Sequence, residues 1–305
     1  MKTGSGLSAQ NKAELYALSA VLLWSTVASA FKISLKALTY EELIFYSLPA
    51  SIISLAAIVT SRKKWKEVLL PAGICKSLLF GLLNPFLYYL ILFKAYELLP
   101  AQQAQPLNYT WAIILTIMSA VILKQKFRIK DFISVIISFS GALLIITGGN
   151  LSGFKSVNTE GVLYALSSAF IWASYWLISM IDSRKGSSDQ AVRLFGCFLS
   201  GFIYITIYML AKGSFRLHGA AEIIPALYVG IFEMGITFYL WSKAIHLAEN
   251  TARVSNLIFL SPFLSFIFIA LLLGETIKAA SAAGLILITA GIIYGRSRKY
   301  KGSFT

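Results

Sequence analysis

Ten long apolar segments run through this 305-residue sequence, and they constrain its fold more than any other feature. A transmembrane helix needs about 20 predominantly apolar residues, so ten helices use about 200 residues and leave about 100 for loops and ends. No room remains for a large domain outside the membrane. The predicted spans are Leu15–Leu35, Leu43–Thr60, Ala72–Phe93, Gln102–Leu123, Phe132–Thr147, Gly161–Ile181, Ala191–Ala211, Ile223–Ser242, Thr251–Leu273 and Ala280–Tyr294.

The composition excludes the main soluble classes. Hydrophobic residues make up 57% of the chain and charged residues 13%, whereas a soluble domain is about half apolar and about a quarter charged. We therefore exclude a soluble enzyme, a disordered chain and a secreted disulfide scaffold, and predict an all-α integral membrane protein with the lipid bilayer as its partner. Both cysteines lie in apolar segments and the two histidines form no cluster, so we expect no metal site and no cofactor.

The net charge of +14 comes from 27 Lys and Arg against 13 Asp and Glu. The basic residues lie in short runs between apolar segments, which favours a role in membrane topology over nucleic-acid binding. With a cytoplasmic N-terminus, 18 Lys and Arg fall on the cytoplasmic side and seven on the outside. This excess predicts that both termini are cytoplasmic.

An internal repeat divides the chain into two halves of five spans, residues 1–150 and 151–305. The segment Leu15–Ser19 recurs 148 residues later, Gly81 matches Gly230 at a shift of 149, and Gly141 matches Gly291 at a shift of 150. Because five is odd, the second half must enter the membrane from the opposite side. Inverted repeats are typical of transporters with a ligand site at the membrane midplane, although a duplicated scaffold is the alternative.

Two short motifs make a family resemblance specific. With ten spans in two halves, Leu23-Trp24-Ser25 in the first span and Leu273-Gly274-Glu275 closing the ninth, the chain resembles the EamA family of the drug/metabolite transporter superfamily. In the first half, Lys124-Gln125 stands at the position that Gly274-Glu275 occupies in the second half. The resemblance implies a secondary transporter of small organic metabolites in the cytoplasmic (inner) membrane of a prokaryote.

The stretch Asn108-Tyr109-Thr110-Trp111 also resembles an Asn-Tyr-x-Trp stretch of aromatic amino acid exporters in this family, with Ala112 where those proteins tend to have Pro. This second resemblance implies export of amino acids or related compounds. It makes Asn108, Tyr109 and Trp111 candidate substrate-binding residues.

Glu233 is the most informative single residue, because it lies in the middle of the eighth span. An ionised group at the centre of a membrane helix costs roughly 2.5–3.5 kcal/mol on insertion scales. Such a side chain normally faces a cavity or a partner. We predict a carboxyl that exchanges protons or binds a substrate amine; the alternative is a packing hydrogen bond to a neighbour such as Asn84.

The repeat pairs Asn84 with Glu233, so spans three and eight carry polar residues at matching depth. Pro85 removes a backbone donor and predicts a kink beside a cavity. Tyr88 follows Asn84 by four residues, which predicts that both lie on one helical face.

Polar residues also begin the fourth spans of the two halves, and they predict either a hydrated vestibule or a helix cap. Pro106 and Pro262 predict further bends. Trp24 and Trp172 are repeat equivalents, for which packing is favoured over stacking on a substrate. The complete set of candidate substrate-binding residues is Glu233, Asn84, Tyr88, Asn108, Tyr109, Trp111 and Asn256, and the predicted kinks are at Pro85, Pro106 and Pro262.

Small residues in spans five and ten would let helices approach closely, either within the monomer or in a homodimer. The sequence contains no phosphate-binding Gly-Lys-Ser loop and no acid–base cluster, which argues against an ATP-driven pump and against an enzyme. We therefore expect a secondary transporter that exports amino acids. An importer or exchanger of another metabolite, and a non-transporting scaffold or sensor, are the alternatives.

Overall fold

The computed structural model describes residues 8–124, 129–149, 158–183 and 189–296, which form ten long helices. Six of these helices are continuous. They are α1 (Ala9–Ser34), α2 (Tyr40–Ser61), α5 (Ile129–Thr147), α6 (Thr159–Ser183), α7 (Gln190–Lys212) and α10 (Ala279–Arg296). A four-residue helix, Trp65–Val68, precedes α3.

The remaining four helices are interrupted within their length. A wide helical turn, Leu82–Leu87, divides α3 (Pro71–Gly81 and Tyr88–Leu98), and another, Val229–Gly235, divides α8 (Ala220–Tyr228 and Ile236–Leu247). Helix α4 consists of Ala101–Tyr109 and Trp111–Ile122, and α9 of Thr251–Asn256, Leu257–Leu260 and Ser261–Leu273.

The predicted fold class is confirmed. Among the described residues, nine helices are long and apolar enough to cross a membrane, and α10 is a shorter apolar helix in the position of the tenth predicted span. The chain is therefore an all-helical, multi-pass membrane protein. The orientation of the termini stays a prediction, and several residues that carry it lie outside the described residues. These are Lys2, Lys126, Arg128, Lys155, Arg184, Lys185, Arg298, Lys299 and Lys301.

Helix ends follow local capping chemistry. Thr39 and Glu42 form a capping box at the start of α2, with the Thr39 amide donating to the Glu42 carboxylate over 2.8 Å. Asp189 accepts the Ala191 amide at 2.9 Å and so begins α7. Gly213 and Gly274 end α7 and α9 in the left-handed conformation, which glycine adopts without steric cost.

Contacts between helices show a two-fold relation between the halves. Helix α1 packs against α8 and α9, and its counterpart α6 packs against α3 and α4. Helix α2 likewise packs against α8, and its counterpart α7 against α3, while the equivalent helices pair as α2–α7 and α5–α10. Exchanging the two halves therefore maps the main helix contacts onto one another or onto themselves.

The first helices of the two repeats begin at opposite ends of the helix bundle. At the start of α1, Gln10 accepts the Asn250 amide at 3.0 Å, just before α9 begins. At the start of α6, Asn158 donates to the carbonyl of Leu98 at 3.0 Å, just before α4 begins. We call these two membrane faces the α9 face and the α4 face, after the helix that begins there.

Glycines that match in the repeat make equivalent helix contacts. A Cβ atom at Gly81 in α3 would lie 2.5 Å from the carbonyl oxygen of Cys197 in α7, and a Cβ at Gly230 in α8 would meet the carbonyl of Ser47 in α2. The sequence match between Gly81 and Gly230 therefore reflects one close backbone approach that occurs twice.

The small residues of α5 and α10 pack against each other within the chain. A Cβ at Gly141 would lie 2.5 Å from the carbonyl oxygen of Gly284. Ser134 and Ser138 donate across the same interface to the carbonyls of Gly291 and Ile288, at 2.6 and 3.2 Å. Of the two roles that the sequence left open for these residues, the structure provides the packing within the monomer.

His218, in the loop between α7 and α8, gives a first testable prediction. Its Nε2 lies 3.1 Å from the Glu42 carboxylate and its Nδ1 3.2 Å from that of Glu222. The contact with Glu42 raises the pKa of His218 above its ordinary value of 6.5. A raised folded-state pKa stabilises the protein fully below the unfolded pKa, and this contribution is lost as pH rises through the folded-state pKa.

Raising the pH from about 6 to about 9 should therefore lower the melting temperature of the wild type more than that of His218→Gln. The measurement is thermal unfolding in detergent over this pH range. Equal slopes for the two proteins would show that His218 contributes nothing to this pH dependence.

Candidate functional site

A cavity of about 290 Å³ lies between the two repeats, at the level of the helix interruptions. Helices of both repeats contribute to its wall: α1, α3 and α4 from the first, and α6, α8 and α9 from the second. The lining residues are Trp24, Val27, Phe31, Tyr88, Leu92, Tyr96, Gln105, Asn108, Tyr109, Trp111, Leu115, Trp172, Trp176, Glu233, Phe238, Trp241, Ser255 and Ile258.

The wall is dominated by aromatic rings that contact one another. The rings of Tyr88 and Trp172 stack with their centroids 4.4 Å apart, and Trp24 lies 5.7 Å from Phe238 and 5.6 Å from Trp241. Trp24 and Trp172, for which the sequence favoured packing alone, therefore also face the cavity. Such a wall offers flat apolar surfaces to a ligand.

Glu233 supplies the carboxyl group of the cavity. Among the described residues that line the cavity, it is the one that carries an acidic or basic group. Its Oε1 accepts a hydrogen bond from the Tyr89 hydroxyl at 3.0 Å, and its Oε2 has no hydrogen-bond partner. The hydrogen-bond partner is thus Tyr89, not Asn84. Oε2 is therefore a buried oxygen whose hydrogen-bonding capacity is unused in this conformation.

The Glu233 carboxyl lies where α8 is interrupted. Glu233 lies in the wide turn Val229–Gly235, where Gly235 leaves helical geometry with φ −102° and ψ −88°. The Thr237 hydroxyl donates to the carbonyl of Phe232 in this turn. Wide turns of this kind frequently occur at functional sites, because they leave backbone groups and side chains outside the regular helix.

Asn84 and Pro85 interrupt α3 at the matching depth. Asn84 has φ −141° and ψ 117°, so the helix does not continue through this position. The expectation that Asn84 and Tyr88 share one helical face is therefore wrong, since it assumed an unbroken helix. Tyr88 lines the cavity, whereas Asn84 is fully buried outside its lining.

Helix α4 contributes polar side chains to the cavity. The Asn108 amide oxygen accepts from the Tyr88 hydroxyl at 3.3 Å, and its amide nitrogen donates to Ser168 at 2.9 Å. Pro106 lies inside the first segment, and the helix is interrupted at Thr110, whose amide donates to the carbonyl of Leu107 at 3.2 Å. The Asn108 side chain therefore connects Tyr88 of the first repeat to Ser168 of the second.

Helix α9 contributes less than the sequence suggested. Asn256 is exposed and lies outside the lining, where Ser255 and Ile258 are found instead. Asn250 accepts the Arg253 amide at 3.0 Å, so this residue caps the helix. Pro262 lies in the first turn of the segment Ser261–Leu273, directly after a short tighter turn.

Five of the seven candidate residues thus come together in one cavity, and Asn84 and Asn256 do not. Sequence reasoning missed Gln105, Trp176 and Trp241 as residues of the cavity wall. Gln105 was visible in the polar run of the fourth span, but the others look like ordinary aromatic residues in apolar segments. The Gln105 amide oxygen and the Trp176 indole nitrogen are also buried without a hydrogen-bond partner.

Comparisons with known proteins are consistent with this architecture. A model described as the EamA-like transporter family matches the chain twice, at residues 11–147 and 159–294. An uncharacterized transporter of Archaeoglobus fulgidus is 26% identical over 95% of this chain and 99% of its own. An uncharacterized transporter of Clostridium kluyveri is 28% identical over 67% of this chain and 66% of its own.

Two further similarities cover almost the whole chain. The aromatic amino acid exporter YddG of Ancylobacter novellus is 23% identical over 94% of this chain and 96% of its own. One crystal structure shares the fold with a TM-score of 0.67 at 21% identity, over 93% of this chain and 96% of that one. The relatives that are named are membrane transporters, not enzymes.

Proposed function

Because the chain belongs to the EamA-like transporter family, we propose that it is a secondary transporter that exports amino acids or related amines by alternating access. The observation that carries this proposal is the cavity between the repeats, with its aromatic wall and one carboxylate. A site between two inverted repeats opens to either side by equivalent motions. Transport then draws on a substrate or proton gradient.

The cavity chemistry supports an amphipathic substrate. The stacked rings of Tyr88 and Trp172 favour a flat or apolar side chain. The unpaired Oε2 of Glu233 favours an ammonium group, because a buried carboxylate is stabilised by a positive charge or a proton. An amino acid with an aromatic side chain combines both properties, as does a related amine.

Similarity to an aromatic amino acid exporter over nearly the whole length also supports this class of substrate. The excess of Lys and Arg in alternate loops favours a cytoplasmic location for both termini. In that orientation the α9 face is cytoplasmic and the α4 face is external. We place the protein in the inner membrane of a prokaryote, as the family resemblance implies.

Counterflow in proteoliposomes tests the proposal. Vesicles that contain only this protein and unlabelled tryptophan should accumulate external labelled tryptophan, and protein-free vesicles should not. Phenylalanine should compete, and glutamate should not, because Glu233 repels a second carboxylate. Counterflow of a different metabolite without tryptophan would favour another substrate class, and the absence of any flux would favour a scaffold.

Trp172→Ala should raise the apparent KM for tryptophan about tenfold. The substitution removes one face of the stack that Tyr88 and Trp172 form, and such contacts contribute about 0.5–1.5 kcal/mol beyond the apolar area they bury. The measurement is the concentration dependence of counterflow. The exposed Phe170→Ala, on the same helix, is the matched control and should leave KM unchanged. An unchanged KM in Trp172→Ala would show that the stacked rings of Tyr88 and Trp172 do not bind the substrate.

A further inference from the structure

The two ends of the cavity differ in exposure. Toward the α4 face, the lining residues are all buried: Phe31, Leu92, Tyr96, Gln105 and Asn108. Toward the α9 face Phe238 is buried, but most lining residues are partly exposed: Trp111, Leu115, Trp176, Trp241, Ser255 and Ile258. The described conformation is therefore closed toward the α4 face and more open toward the α9 face.

A carboxylate lies at the closed end. Glu275, in the loop between α9 and α10, accepts the backbone amides of Ala101 and Gln102 at 3.1 and 3.3 Å. These amides belong to the first turn of α4, where the N–H groups have no partner within the helix. A negative charge is stabilised at this position by the helix dipole as well as by the hydrogen bonds.

Gln102 strengthens the same connection. Its amide nitrogen donates to the carbonyl of Thr276 at 2.9 Å, and its amide oxygen accepts the Lys278 amide at 2.9 Å. The Glu275 side chain thus binds the backbone of α4, and the Gln102 side chain binds the backbone of the α9–α10 loop. We call this set of hydrogen bonds, made by Glu275, Gln102, Thr276 and Lys278, the carboxylate gate.

The carboxylate gate lies directly beside the closed end of the cavity. Gln105 follows Gln102 by one helical turn and lines the cavity. Lys32 lines the same surface pocket as Glu275 and donates to the carbonyl of Tyr96 at 2.7 Å, and Tyr96 is also a lining residue. Displacement of the first turn of α4 would therefore move part of the cavity wall.

At the opposite face, the sequence position equivalent to Glu275 holds no carboxylate. In the repeat, Lys124-Gln125 occupies the position of Gly274-Glu275, and Gln125 lies outside the described residues. The start of α9 is instead connected to α1 by the ion pair of Arg253 and Glu14, whose atoms approach to 2.8 Å. The Arg253 side chain is 66% exposed, and exposed ion pairs contribute little.

From this asymmetry we propose that Glu275 is a positioning residue that keeps the cavity closed at the α4 face until transport opens it. The inference rests on the alternating access of the proposed function. Opening the α4 face requires the carboxylate gate to break, whereas the ion pair that connects α9 to α1 at the opposite face, between Arg253 and Glu14, has a largely exposed arginine. The gate therefore biases the transporter toward the conformation that is open at the α9 face.

Cysteine accessibility tests the proposal without any substrate. In a Cys75→Ser, Cys197→Ser background, Leu92→Cys reports the closed end of the cavity and Ser255→Cys the open end. A membrane-impermeant maleimide is applied to intact cells and to inside-out vesicles, so that both faces are sampled. Glu275→Gln should raise the labelling rate of Leu92→Cys from the α4 face about tenfold and lower that of Ser255→Cys from the α9 face.

Glu160→Gln is the matched control, because Glu160 is an exposed carboxylate at the α4 face. It should leave both labelling rates unchanged, and Glu275→Asp should restore part of the protection. Unchanged labelling in Glu275→Gln would contradict the proposed role of Glu275 in closing the cavity. Faster labelling at both reporters would contradict it as well, because it would show a general loss of packing. Because no substrate is used, this outcome is distinct from a failure of tryptophan counterflow.

Discussion

Glu233→Gln is expected to lower the rate of counterflow at least tenfold and to abolish its response to an imposed pH step. The amide keeps the shape of the side chain and still accepts a hydrogen bond from Tyr89. The amide carries no negative charge, and it cannot bind and release a proton as the carboxyl can. Because hydrogen bonds to a charged group contribute about 1.5–3 kcal/mol, loss of the ammonium contact alone predicts an effect of this size.

Two control variants separate the charge of Glu233 from its packing. Tyr89→Phe removes the hydrogen-bond donor but keeps the carboxylate, so it should have a smaller effect than Glu233→Gln. Glu249→Gln neutralises an exposed carboxylate just beyond the end of α8 and should leave flux unchanged. The measurement is the initial rate of labelled tryptophan counterflow at several pH values. Unchanged affinity and pH dependence in Glu233→Gln would contradict both proposed roles of this carboxyl.

Gly230→Val is expected to cause the largest loss of stability. A side chain at Gly230 would meet the backbone carbonyl of Ser47, which cannot move without displacing α2. Overpacking typically costs about 1–3 kcal/mol and more where the backbone must shift. For a chain of this size, about 3 kcal/mol corresponds to a fall in melting temperature of roughly 5 °C.

The repeat supplies a second test of the same contact. Gly81→Val should be destabilising for the same reason, because its Cβ would lie 2.5 Å from the Cys197 carbonyl. Gly73→Val is the matched control in the first part of α3, where the nearest atom to a new Cβ is 3.8 Å away. Thermal unfolding in detergent measures all three variants. Tolerance of valine at both Gly81 and Gly230 would show that these helices are not closely packed.

Most of the fold follows from the sequence, because the membrane restricts the possible structures. Each apolar segment of about 20 residues must satisfy its own backbone hydrogen bonds, and a helix does so. All ten predicted spans correspond to helices in the structure. The match of Gly81 with Gly230 also predicted the repeat, because close backbone contact requires glycine in both halves.

The site was predicted less completely, and the failures have a common cause. Glu233 was found because a carboxyl in an apolar segment is costly and therefore conspicuous. Asn84 was placed by a regular helical period, which the interruption at Pro85 breaks. Tyr89 and Trp176 carry no such signal, since aromatic residues are common in membrane helices whether they face lipid, protein or a cavity.

The sequence by itself determined that this protein spans the membrane and consists of two repeats of five helices, because these properties depend on local hydrophobicity and on self-similarity. Only the tertiary structure decided which polar groups meet. The hydrogen bond from Tyr89 to Glu233 and those from Ala101 and Gln102 to Glu275 join residues more than 140 positions apart. Such pairs depend on how the helices pack and where they are interrupted, which no local pattern of the sequence encodes.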